Sequence, residues 1–554
     1  MIGQTIREPN SLARWFALQP TTPVTTGVTV TMAPPNAPLA DAAIARELTA
    51  LLGPDAMLTD QAARALSAQD LMTTGVTPLA IARPANAEEM AKLVRFAREH
   101  GIALFARGGG MSYSRAFQPD RARAISIDFS RLVRIREINV ADGHVTAEAG
   151  CTWQDLDAAL AAQGVRARWW GPQSGGMATL GGSLSQGSVT FGSGRVGASA
   201  NAVKSFEIVT GTGDIIRTGS DGCAETSPFN RAFGPDLTGL FAQDAGALGI
   251  KTAVTLEIEP RPELVNGLSF AFDDFDAMTR LLNFVTQRRL ASEIIAMDAE
   301  VARQNAGPPN LFEDIKAMWR IGTAAGNPLA ALGRMFRIAA GGRRFLDKAK
   351  YTVHFVLEAR DSRELSSLFR SVRRAAKAGD EVVNTVPLIM RSSPFPMLPV
   401  VHPDGRRMLP IHGIFAWSAL AAFHRDYLAI KAGFAPKMAD HGVSLAEFFA
   451  AIAGIGLLYE PVFYWVGEYT LYHDAFRMPQ RDCSAASPPA NPAARALVEE
   501  MTSAIIALMR SHGATHFQIG RLYPHARLRT DGLLKAVKEQ LDPGNIMNPG
   551  ALGL

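Results

Sequence analysis

Between Leu79 and Ala106 the apolar positions change period twice. Leu79 to Arg83 is a short apolar run, and Met90, Leu93, Val94 and Ala97 then recur at helical spacing. Asn86 precedes that stripe as an N-cap, and Gly101 supplies the stop. Ile102 to Ala106 is apolar again, so the pattern predicts strand, helix, strand. Ala124 to Asp128, Val133 to Asn139 and His144 to Ala149 alternate as antiparallel strands do. Thr152 to Gln163 reads as a helix. Ser205 to Thr210 and Ile215 to Thr218 read as a hairpin around Gly211 to Asp214, and Thr252 to Ile258 as a strand ending at Pro260-Arg261-Pro262.

Beyond that stop the texture changes. Phe270 to Gln287 reads as strand then helix, Thr352 to Glu358 as a strand, Ser362 to Lys377 as a helix and Ala496 to His512 as a long helix. This order predicts an α+β domain whose sheet carries helices on one face. The expected divisions are an arm with helices over 1–74, a first domain over 75–262, a second over 263–490 and a closing segment over 491–554.

Two glycine clusters interrupt the first domain. Arg107-Gly108-Gly109-Gly110-Met111-Ser112 follows one strand, and Thr179-Leu180-Gly181-Gly182-Ser183-Leu184-Ser185-Gln186-Gly187 precedes another. Glycine permits positive φ and close approach, and successive N–H groups in such turns hold anions. Two clusters in one domain point to a large phosphate-bearing cofactor gripped from two sides. Gly192 to Gly197 also fits GxGxxG, but too few residues follow for the helix a Rossmann site needs.

Composition narrows the reading only a little. The chain has 554 residues and a net charge of +4, which gives nucleic-acid binding no bulk support. Its three cysteines lack metal-ligand or disulfide spacing. Met1 to Glu8 lacks the basic start and apolar core of a leader, and no long apolar run appears, so a cytoplasmic chain is expected. Arg334 to Lys350 is basic and amphipathic. A solvated face is the plain reading, and peripheral contact with a membrane surface the sharper one.

Phe463 to His473 reads as one strand with aromatics on both faces. At a period of two, Tyr464, Val466, Glu468, Thr470 and Tyr472 share a face suited to a cavity wall. Glu468, Tyr472, His412 and His473 are the candidate acid–base groups. Arg521, in a strand over His516 to His525, and Arg391 are the candidates for stabilising charge.

Five stretches together resemble the FAD-linked oxidoreductases of the vanillyl-alcohol oxidase and p-cresol methylhydroxylase superfamily. They are Ala82 to Asn86, Arg107 to Ser112, Leu180 through Gly187 to Gly213, Asp236-Leu237 with Gly246 to Thr252, and Leu541 to Gly550. The resemblance implies an α+β fold: a two-subdomain FAD domain, a cap domain, and a closing segment that returns to the flavin. It implies FAD contacts from Pro84, Arg107, Gly108, Gly109, Gly110, Met111, Ser112 and Tyr113. Further contacts are implied from Pro172, Thr179, Gly181, Gly182, Ser185, Gly187, Ser188, Gly249, Ile250 and Asn548. Many relatives carry, where Met111 stands, a His bonded to the flavin, so non-covalent FAD is expected. The paired-histidine metal motif of the D-2-hydroxyacid branch has no match here, and no metal is expected. The reaction expected is hydride transfer to flavin from a C–H beside oxygen or nitrogen, in a small, moderately apolar or aromatic alcohol. The electron acceptor is oxygen or another carrier, and a homodimer is among the expectations. A 2-hydroxyacid dehydrogenase of the same fold and a non-catalytic flavin-fold binding protein stay open as alternatives.

Overall fold

The computed structural model describes residues 40–223, 226–305, 349–383, 385–392, 394–395, 402, 404–475, 486–518, 520–523 and 530–554. Most of the basic stretch from Arg334 to Lys350 lies outside them, as does Cys483.

The strand–helix–strand pattern forms as read. Strands Ala80–Ala82 and Ala103–Arg107 flank helix Ala87–Glu99. The Asn86 side chain accepts from the Glu89 N–H at 2.8 Å, and the Glu89 carboxylate accepts from the Ala85 N–H at 2.8 Å, so each satisfies a free donor at the helix start. Met90, Leu93, Val94 and Ala97 are buried against the sheet. Ala124–Asp128 differs from expectation. It lies parallel between Ala80–Ala82 and Ala103–Arg107 and not in the antiparallel sheet, because its residues are buried on both faces, as a central parallel strand requires.

The antiparallel sheet takes the order Ile135–Asn139, His144–Glu148, Ile250–Pro260, Val203–Val209, Ile215–Arg217, with Val165–Ala167 also paired to Ile250–Pro260. The second glycine cluster is a short helix and not a turn. Leu180–Gln186 is capped by the Thr179 hydroxyl on the Gly182 N–H and ends at Gly187, which has φ 68°.

The third sheet has the order Asp380–Val382, Leu264–Phe272, Tyr351–Ala359, Glu293–Asp298, Ser444–Ile452, Gly456–Val466, Arg406–Pro410, and Gly413–Phe415 also pairs with Gly456–Val466. Helices Phe275–Gln287, Ser362–Ala375, Leu420–His441 and Pro492–Ser511 pack on one face through Phe275, Val372, Phe423, Tyr427 and Met501. The other face carries Ile295, Ala450, Ile452 and Leu458, which meet Val189 and Phe517.

Two sequence expectations fail locally. The strand read through His473 ends at Val466, and Leu471–Ala475 is a helix. Gly467 provides the break, since its backbone N–H turns to the Gly405 carbonyl. The segment from His516 forms no strand among the described residues. Its ladder is a single bridge, Ile414 to Thr515.

Candidate active site

The two glycine clusters close on one another. A Cβ at Gly108 would strike the Thr179 hydroxyl, and one at Gly109 would strike the Met177 carbonyl. Gly110, at φ 73°, lies so near Arg107 and Tyr472 that a Cβ would stand 2.5 Å and 2.8 Å from them. The space left beside the clusters is a cavity that opens to solvent. Gly108, Gly109, Gly110, Met111 and Ser112 line it from one side, and Thr179, Gly181, Gly182, Ser185 and Ser188 from the other. Pro172, Gly249 and Ile250 complete the part foreseen from sequence, while Gln186, Ala245, Gly246, Lys251 and Gln518 line it unforeseen. Among the described residues, no protein acceptor meets the N–H groups of Gly109, Gly110, Met111 or Ser112. A row of free N–H groups on a cavity wall suits a diphosphate, so the residues present fit FAD.

The other residues singled out lie behind this lining. Pro84 is buried at the start of its helix. Gly187 ends the short helix against Gln243. Arg107 donates to the Tyr472 hydroxyl at 3.1 Å, and that hydroxyl lies 2.9 Å from the Gly110 carbonyl and 3.0 Å from the Gln69 carbonyl. Tyr472 thus ties down the first glycine turn, and burial raises its phenol pKa. Asn548 donates to the carbonyls of Ala116 (2.8 Å) and Ala245 (2.6 Å), both on the cavity lining, and accepts from Arg521 at 2.8 Å. Arg521 also reaches the carbonyls of Arg115, Gln118 and Pro549, so it fastens the closing segment to the FAD side.

Glu468 stands on the surface, paired with Arg495 at 2.8 Å. Because the strand has ended, it no longer shares the face on which the sequence grouped it. Arg391 is held by Glu358 and Glu293 over the Trp170 ring, and burial lowers its pKa to about 10. Glu358 also pairs with Arg166 at 2.5 Å and with Arg195 at 3.1 Å, in a charge cluster between the antiparallel and third sheets. His473 is buried, its Nδ1 accepting from the Thr470 N–H at 2.9 Å. His412 is fully buried and stacks on Phe517 with ring centroids 4.0 Å apart; burial pushes its pKa well below the ordinary value.

Sequence reasoning missed one group altogether. Glu460 is half-buried on Gly456–Val466, on the same face as Leu458 and therefore turned toward Val189 and Phe517. Tyr113 and Tyr523 sit near enough to feel its charge, and Gln518 hydrogen-bonds to Tyr113. Burial alone raises the Glu460 pKa to about 8, and no described residue pairs with it. A lone carboxylate within the apolar run Leu457 to Phe463 was the available signal.

A cavity walled by glycine backbone with free N–H groups defines a site suited to a phosphate-bearing cofactor. The family described as FAD binding domain matches residues 78–219. An uncharacterized FAD-linked oxidoreductase of Mycobacterium tuberculosis is 28% identical over 320 residues, 56% of this chain and 67% of the relative. The glycolate oxidase subunit GlcD of Bacillus subtilis is 26% identical over 229 residues, 41% of this chain and 46% of the relative. The structure of p-cresol methylhydroxylase with substrate bound superposes with a TM-score of 0.67 at 15% identity, covering 93% of this chain and 96% of that one. This chain is an FAD-linked oxidoreductase with the p-cresol methylhydroxylase-type fold. No described helix is long and apolar enough to cross a membrane.

Proposed function

We propose that this enzyme oxidises a neutral, moderately apolar or aromatic alcohol, and that it holds FAD without a covalent bond. Bound FAD supplies the acceptor for two electrons and a hydride. The free N–H groups of Gly109 to Ser112 hold the diphosphate, and Met111 offers no nucleophile for a flavin link. One observation carries the substrate class: Lys251, the one cation on the cavity lining among the described residues, is already paired. Lys251 pairs with Asp244 at 2.6 Å, and behind the lining Arg391 pairs with Glu358 and Glu293, while Arg107 and Arg521 donate to the neutral Tyr472 and Asn548. A 2-hydroxy acid needs a free cation for its carboxylate. The apolar core cluster of Val189, Ile295, Leu458 and Phe517, which adjoins Ser188 and Gln518 of the lining, suits a neutral substrate instead. The relative named as a glycolate oxidase subunit keeps the hydroxyacid reading in play, and one test separates the two.

That test is anaerobic mixing of the yellow holoprotein with benzyl alcohol or cinnamyl alcohol, and in parallel with glycolate or D-lactate. Bleaching by the neutral compounds alone is expected. Bleaching only by the acids overturns the substrate class, and bleaching by none favours a flavin-fold protein without redox work. Acid precipitation then reports the flavin linkage, and release into the supernatant is expected. Reoxidation by air, or its failure, assigns the acceptor to oxygen or another carrier.

A further inference from the structure

The cavity's Gln518 side backs onto a compact polar group that the cofactor does not require. Gln518 has φ 50°, and its N–H is held by the Gln186 carbonyl at 2.6 Å, which fixes it at the end of the second glycine helix. Its side chain bonds to Tyr113. Tyr113 lies edge-on to His412, at 6.2 Å between centroids, and the Tyr523 hydroxyl accepts from the His412 N–H at 3.0 Å. Glu460 reaches this group from the cap sheet. Its other neighbours on that face are apolar: Leu458 and Val462 on its own strand, and Phe448 opposite it on the next. An ionisable group without a partner among the described residues, in such surroundings, opposes folding, so its presence calls for a functional reason.

We propose that Glu460 accepts the hydroxyl proton of the substrate, with Tyr113 and Tyr523 beside it as hydrogen-bonding phenols. This rests on the alcohol reading above. In the step, the substrate O–H bond breaks and its proton passes to the Glu460 carboxylate. The adjacent C–H bond breaks with its electron pair leaving as hydride to oxidised flavin, and a C=O bond forms. The substrate loses two electrons and the flavin gains them.

The titratable groups facing Glu460 are Tyr113, from the first glycine loop, and Tyr523, from the closing segment. His412 lies behind Tyr523, with ring centroids 5.0 Å apart. Both phenols are pushed above their ordinary pKa by burial, so between neutral pH and about 9 Glu460 alone changes charge here. The base form is the carboxylate, so bleaching speeds up as pH rises through about 8.

The experiment compares the holoenzyme with Glu460→Gln and Glu460→Asp, each first checked for FAD content and Tm. Glu460→Gln is expected to keep its FAD, to slow anaerobic bleaching by benzyl alcohol about 100-fold or more, and to lose the rise through pH 8. Glu460→Asp recovers part of the rate. A Glu460→Gln rate within threefold of the parent, with the pH rise intact, overturns the proposal. A second readout does not need turnover: the infrared difference spectrum on adding p-cresol to the oxidised holoenzyme. A carboxyl band that shifts in the parent and is missing from Glu460→Gln supports Glu460 at the ligand, and no shift overturns it. A shift without bleaching by any alcohol overturns the alcohol reading alone.

Discussion

On its FAD side the cavity is walled mostly by backbone and very small side chains, Gly108 to Gly110 and Gly181 to Gly182 among them. Beyond its Gln518 edge, and off the lining itself, stand Glu460, Leu458 and Ile295 from the third sheet, with Phe517 and Tyr523 from the closing segment. The first wall works by closeness, since any Cβ at Gly108 or Gly109 strikes the facing chain. The second works by the identity of its side chains on a backbone that accepts substitution. Cofactor grip and substrate choice are therefore separable, and variants in one wall should leave the other's readout largely intact.

The hardest blow to that separation comes from Gly109→Val. The branched side chain must displace the Met177 carbonyl, at a cost of about 3 kcal/mol or more, roughly 100-fold in FAD affinity. The purified protein should be colourless, and a yellow one would show that the first wall tolerates side chains after all. Next comes Lys538→Met. Its ammonium, 2.6 Å from Asp542 and bonded to the carbonyls of Ala247 and Met547, is buried. Removing it leaves Asp542 unpaired, and denaturant titration should show a loss of about 3 kcal/mol.

Tyr472→Phe sharpens the comparison, because Tyr472 comes from the cap side yet serves the FAD wall. Losing its hydroxyl should weaken FAD binding by about 1 kcal/mol, roughly fivefold by calorimetric titration, with the bleaching rate nearly unchanged. A hundredfold slower rate would instead make Tyr472 an acid–base residue. Glu460→Gln should raise Tm at pH 9 by about 1–2 °C. The sign follows from a folded pKa of about 8, above that of the unfolded carboxyl. The stability linked to its proton is full below the unfolded pKa and lost as pH rises through 8. Smallest of all, Glu468→Gln breaks only an exposed pair with Arg495. It should change stability by at most about 0.5 kcal/mol and activity not at all.

The backbone wall was legible because closeness leaves a compositional trace: glycines at fixed points between strands. The group around Glu460 was not, because its members at 113, 412, 460, 518 and 523 meet only through packing, and of these Tyr113 and His412 alone were singled out, for other roles. Even there the period-two reading was half right. Tyr464 does share a face with Glu460, but the run was extended forward past Gly467, to Glu468, and not backward. Propensity could not show that Gly467 would turn to Gly405 across the sheet. Arg521 was read as a charge stabiliser because a lone Arg near a cavity suggests one. Its actual acceptors, four oxygens from Arg115, Gln118, Asn548 and Pro549, belong to segments hundreds of residues apart.

Ile546 to Asn548 runs beside Ala103–Arg107: the Leu104 N–H bonds to the Ile546 carbonyl at 2.7 Å, and its carbonyl accepts from the Asn548 N–H at 2.8 Å. A ribosome makes the first glycine turn more than four hundred residues before the strip that braces it. Until residues 542–552 emerge, the loops at Ala116 and Ala245 lack the Asn548 amide that joins them. The walls of the pocket are thus made long before the residues that brace them, and a chain cut short before residue 542 should hold flavin more weakly.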